Sequence, residues 1–192
     1  MSDFFEKGDP SMEEALSSIT SLTGALNQRG FKEPAKVLNV TQFCLIAKYD
    51  LKILRAEIIA SEFEWHKRLH ARYLALLALE CLDDLPHLLG GEFRKTVIRM
   101  SQNSLIPESF TRLGKKISKL KKNCNFTLTG IRNNITAHRD QDAEKQLEWI
   151  RRINISDLSN LSNELLEWFD DLQFSIIEVV EKEVLENGEL NS

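Results

Sequence analysis

Residues 108–135 read ESFTRLGKKISKLKKNCNFTLTGIRNNI, and their apolar members return every three or four positions. Phe110, Leu113, Ile117, Leu120, Cys124, Leu128, Ile131 and Ile135 make up the series without a gap. An α-helix turns once in about 3.6 residues, so this spacing gathers the apolar side chains into one stripe. A half-buried strand would need strict alternation, and no useful length of it occurs in the chain. The segment therefore predicts a long amphipathic helix running into IRNNITAHRD, residues 131–140, and an all-α fold.

The flanking sequence agrees. Ser11 and Glu14 have the spacing of a capping box, and Leu16, Ile19, Leu22 and Leu26 follow at helical intervals until Gly30. Pro34 suits the first turn of a second helix, and neither Gly nor Pro recurs before Pro86. That span predicts one very long helix or two, with Ser61 and Glu64 as a restart. RLHARYLALLALECLDDL, residues 68–85, is apolar on several sides, as a central buried helix would be. EFRKTVIRM, residues 92–100, predicts a short amphipathic helix before a loop at 103–107, and DAEKQLEWIRRI, residues 142–153, predicts a weaker one. From about Ser156 a last helix carries Leu158, Leu161, Leu165, Trp168, Leu172, Ile176 and Val179. Its near-heptad spacing suits a packed core or a dimer seam. The expectation is a flexible stretch at 1–10, a single all-α multi-helix bundle over 11–187, and a frayed end at 188–192.

Composition narrows the class further. With 8 Gly and 4 Pro in 192 residues, tight turns are few and long helices are favoured. A net charge of −4 argues against wholesale coating of nucleic acid and leaves room for a local basic patch. Cys44, Cys81 and Cys124 are widely spaced and odd in number, which suits a reducing compartment. The acidic start MSDFFEKGDPSMEE lacks the features of a secretory signal, and no apolar run reaches the length of a membrane span. A cytoplasmic protein without a membrane partner is expected.

Most familiar chemistry is not encoded. His66 and His70 share a helix face at a spacing zinc sites use, but Glu62 lies about 12 Å along the axis from His70, too far to share a metal. Surface or capping histidines are the expectation, with no metal and no cofactor. The neighbours Asp83–Asp84 and Asp170–Asp171 diverge by about 100° on a helix and form no carboxylate dyad. Phosphate-cradling glycine loops and nucleophile elbows are missing from the sequence. What remains is RLGKKISKLKK, six cations within residues 112–122. Lys115, Lys119 and Lys122 share a face by spacing. They form either a solvated helix edge or a phosphate-tracking surface for RNA or DNA. Lys121 extends the basic set toward Arg132, which lies three turns further on the same face. Phe110 and Phe126 are the only aromatics nearby, so base stacking is not indicated. Arg132 and His138 are about 600° apart on an ideal helix, so they cooperate only if the helix ends or bends, or a second subunit completes the site.

IRNNITAHRD resembles the signature of the HEPN superfamily, all-α domains with an arginine, a polar residue and a histidine four to six positions on. It is most similar to stand-alone abortive-infection-type members, in which "RD" often follows the histidine. Here the match is Arg132 with Asn133, then Ala137, His138, Arg139 and Asp140. The resemblance implies metal-independent RNA cleavage by a homodimer, with Arg132 and His138 catalytic and Asn133 supporting. Lys115, Lys119, Lys121 and Lys122 would contact the RNA. Asp140 would orient His138 or cap the next helix. A toxin or phage-defence role restrained by an antitoxin or other regulatory protein is the biological expectation. The alternative is a non-catalytic HEPN-like module that binds nucleotide, RNA or a protein partner.

Overall fold

The computed structural model describes residues 10–101, 107–136 and 142–188, and every regular element among them is helical. In chain order these are α1 (Pro10–Gln28), α2 (Lys32–Ala60), α3 (Glu64–Leu88), α4 (Gly91–Met100) and α5 (Glu108–Ile131). A π-helical turn (Arg132–Thr136), α6 (Ala143–Arg152) and α7 (Ile155–Gly188) complete the series. The long stretch after Pro34 is thus two helices, broken at 61–63, just before Glu64. Expectations for residues 1–9, 102–106 and 189–192 lie outside the described residues.

The ends follow local chemistry. α1 starts at Pro10, one residue before the expected cap, where a missing N–H costs nothing. It stops in a Schellman motif. Gly30 takes φ +86°, Phe31 N–H donates to the Leu26 carbonyl at 2.8 Å, and Gly30 N–H donates to Asn27 at 3.1 Å. Asn154 caps α7 by accepting from the N–H groups of Ser156 and Asp157 at 3.0 and 3.3 Å.

The helices form two compact units. The first holds α1, α2 as far as Tyr49, α4, α5 as far as Arg112, and α7 from Phe169. Its core includes Leu38, Cys44, Val97, Met100, Phe169 and Leu172, with Phe93 and Phe110 edge to face at 5.5 Å. The second holds α2 from Asp50, α3 as far as His87, α5 from Leu113, the π turn, α6, and α7 as far as Trp168. Leu74, Leu82, Ile117, Leu128, Ile131, Leu165 and Trp168 are buried there, and Trp168 Nε1 donates to the Leu113 carbonyl at 3.0 Å.

The α5 stripe packs as its period requires. Phe110, Leu113, Ile117, Leu120, Leu128 and Ile131 are buried, and Cys124 is half-buried. On α7, every apolar position from Leu158 to Val179 that suggested a dimer seam is buried within this one chain. That stripe is core, and it is not open to a partner. No helix among the described residues is long and apolar enough to cross a membrane.

One core group is out of balance. Thr41 is fully buried, and its Oγ1 has no hydrogen-bond partner among the described residues. An unmet buried hydroxyl costs about 1–3 kcal/mol, whereas an isosteric methyl costs nothing of the kind. Thr41→Val should therefore raise stability by roughly 1 kcal/mol, read as a higher midpoint in urea at an unchanged slope.

Candidate functional site

Arg132 stands where α5 changes its winding. The α-helix ends at Ile131 and the chain continues as a π turn from Arg132 to Thr136. Such widened turns occur mostly as single insertions, frequently at functional sites. The change begins at the arginine of the motif. His138 and Asp140 themselves lie outside the described residues. The capping role considered for Asp140 belongs to Asp142, whose Oδ1 accepts from Glu144 N–H at 2.9 Å and Lys145 N–H at 3.2 Å.

Just before the turn lies a contact the sequence does not advertise. Gly130 lies against the indole of Trp149 on α6, so closely that a Cβ there would come within 2.6 Å of Cζ3. Real side chains do not approach like this, so any larger residue here would require the indole to shift. Asn134 adds a tie within the turn, its Nδ2 donating to the Gly130 carbonyl at 2.7 Å. α6 is in turn fixed from α3. One terminal nitrogen of Arg68 donates to the carbonyls of Ile150, Arg151 and Ile153 at 2.7, 3.1 and 3.4 Å, closing the α6 C-terminus. The other pairs with Glu64 at 2.8 Å.

Acidic residues of α3 then sort the cations of α5. Lys121 pairs with Asp83 at 2.8 Å. Arg132 Nε lies 3.9 Å from Glu80, buried and without a hydrogen bond among the described residues, while the side chain as a whole stays 39% exposed. Lys115, Lys119, Lys122 and Asn133 are exposed. The four lysines proposed from sequence thus divide into three on an open face and one engaged with a carboxylate.

Phe126 changes the reading of that face. It is 84% exposed, one turn beyond Lys122 and in line with Lys115, Lys119 and Lys122. Phe110, by contrast, is core. An uncovered aromatic at the end of a row of lysines is the combination that binds single strands, the cations following phosphates while the ring stacks a base. Burial decides between the two phenylalanines, and sequence alone could not.

The remaining candidates are structural. His66 meets Phe63 edge-on at 5.5 Å, and His70 Nε2 is 3.8 Å from Glu57, so the pair faces different neighbours. Burial, reinforced by the negative charges of Asp84, Asp50 and Glu80, pushes the Cys81 thiol up to about 12, out of reach of thiolate chemistry near neutrality.

No family model matches the chain, and comparison with curated proteins and with solved structures finds no match either.

Sequence reasoning did not find Gly130, Trp149, Arg68 or Glu80. The one usable signal was a glycine in the last turn of a strongly patterned helix, which costs about 1 kcal/mol relative to alanine unless a close approach requires it. A double-mutant cycle tests the contact. Gly130→Ala should destabilise by about 1–3 kcal/mol through overpacking, yet be neutral or stabilising by up to about 1 kcal/mol in a Trp149→Ala background. Equal effects in both backgrounds would show that the indole does not constrain this position.

Proposed function

We propose that this chain is a metal-independent endoribonuclease of HEPN type that works as a homodimer, in a toxin or phage-defence setting. The observation that carries the reading is the IRNNITAHRD arginine in a π turn, at the end of the helix bearing Lys115, Lys119, Lys122 and the exposed ring of Phe126.

The chemistry needs few groups. Imidazole titrates near neutrality, so His138 takes the proton from a ribose 2′-hydroxyl. The resulting oxygen attacks the adjacent phosphorus, and the bond from phosphorus to the 5′-oxygen breaks. Arg132 holds the non-bridging oxygens, whose charge grows in the transition state. The leaving 5′-oxygen is protonated by imidazolium, from the same histidine or from that of the second copy. The products are a 2′,3′-cyclic phosphate and a 5′-hydroxyl.

The second reading is a non-catalytic helical module that binds RNA, nucleotide or a protein partner. It is favoured by Glu80 beside Arg132 and Asp83 beside Lys121, which engage two of the proposed cations within the chain.

Incubation with single-stranded RNA in EDTA separates the two. Cleavage should yield cyclic-phosphate ends, and Arg132→Ala and His138→Ala should each lower the rate by about 10²-fold or more. Full activity in the double variant would exclude the catalytic reading. Binding divides along the helix face. Lys119→Glu with Lys122→Glu should weaken RNA affinity and flatten its salt dependence by about 1.4 in the log–log slope. Phe126→Ala should weaken affinity with the slope unchanged, because stacking releases no counterions.

A further inference from the structure

Helices α2 and α3 leave between them an open pocket of about 430 Å3, lined by Asp50, Ile53, Leu54, Tyr73, Leu76 and Leu77. Ile53 and Tyr73 are exposed, and the lining holds no cation. One end is acidic. Asp50 and Asp84 are exposed, and both act on the Cys81 thiol one turn beyond Leu77, so the two carboxylates lie at the same end of the pocket. Neither is held by a hydrogen bond or an ion pair among the described residues. Glu80 stands nearby but is engaged with Arg132 and takes no part.

Carboxylates beside apolar walls select the occupant. An RNA strand, a nucleotide or an anionic lipid surface would be repelled, whereas an apolar side chain flanked by cations is attracted. The α5 row has that composition. Lys115, Lys119 and Lys122 are exposed and unpaired among the described residues, and Phe126 at their end is almost uncovered. The spacings also agree. Phe126 and Lys119 are as far apart along α5 as Leu77 and Asp84 are along α3, about 10 Å at 1.5 Å per residue. Laid antiparallel, α5 of one copy seats Phe126 among Ile53, Tyr73 and Leu77 of another. Lys122 then meets Asp50 and Lys119 meets Asp84. The contact removes an exposed ring from water and sets opposite charges together at its rim.

We propose that the α2–α3 pocket receives the α5 row of a second copy of this chain. Each copy carries both the pocket and the row, so the contact joins unlike patches. It covers the lysines and the ring that the ribonuclease reading gives to RNA. This is therefore a resting assembly, separate from the catalytic pair, and RNA competes with it. Self-association does not rest on the ribonuclease reading; only the competition does.

Carbodiimide cross-linking, which joins a lysine directly to a carboxylate it touches, tests the contact. An equal mixture of isotope-labelled and unlabelled full chain distinguishes links between copies from links within one. Lys119 or Lys122 of one copy should be joined to Asp50 or Asp84 of the other. The yield should fall about tenfold between roughly 50 mM and 0.5 M salt. Phe126→Ala and, on the pocket side, Ile53→Glu should each lower it tenfold or more, with the urea midpoint showing that both variants fold. All four reacting side chains remain in these variants, so the loss reports the apolar contact. No link between copies, links from these lysines only to carboxylates elsewhere, or a yield unchanged in both variants would overturn the proposal. A 2′-O-methyl oligonucleotide should suppress the link, and a link that persists in oligonucleotide-saturated chain would overturn the competition. His138→Ala should keep the link, so a failure of the cleavage reading leaves this result standing.

Discussion

The arrangement around Arg132 depends on one steric fact, the indole of Trp149 resting where Gly130 has no side chain. With the indole where it stands, a Cβ at Gly130 would require Trp149 to move. The π turn begins two residues further on, so the contact lies directly before the point from which Arg132 departs. Arg68 completes the frame by closing the α6 carbonyls from α3. A bare glycine, a tryptophan and an arginine therefore frame the end of α5 just before Arg132. Such indirect support is common where a charged group must be held ready at a surface, because the group cannot be anchored by burial without losing access to its ligand.

Electrostatics in this unit works by subtraction. The α5 cations are numerous, yet α3 presents Glu80 and Asp83 to Arg132 and Lys121 and leaves Lys115, Lys119 and Lys122 open. An acidic chain can thereby show a basic face, since net charge says little about where charges lie. Glu80, together with Asp84 and Asp50, also adds to the burial that keeps Cys81 protonated.

How much of this was legible in the sequence divides along one line. Periodicity gave each helix its buried face, and the α5 and α7 stripes are buried almost residue for residue. The break at Gly30 was legible because glycine chemistry acts locally, and the break before Glu64 falls near the expected restart although the Ser61 hydroxyl donates back to the Glu57 carbonyl. Pairings between distant parts of the chain were not. Glu80 with Arg132 and Trp149 with Gly130 belong to different helices, and a hydrophobic period describes a helix's own faces without naming its neighbours. The α7 seam failed for the same reason, since near-heptad spacing looks alike whether the partner is the chain's own core or a second copy. Phe110 and Phe126 are equally aromatic in sequence, and only packing shows one as core and the other as surface.

The contact between Glu80 and Arg132 also bears on how the proposed site would accept a phosphate. At 3.9 Å, with both partners roughly half exposed, such a pair contributes about 0–1 kcal/mol. Two charge-assisted hydrogen bonds from a guanidinium to a phosphodiester are individually stronger than this. Glu80 can therefore hold Arg132 in one orientation while the site is empty and yield it when an anion arrives. A tighter, buried pair would have fixed the arginine more firmly at the expense of binding, and an isolated arginine would have had to be ordered by the substrate itself. The loose pair lies between these limits, where little energy is lost in exchanging one anion for another.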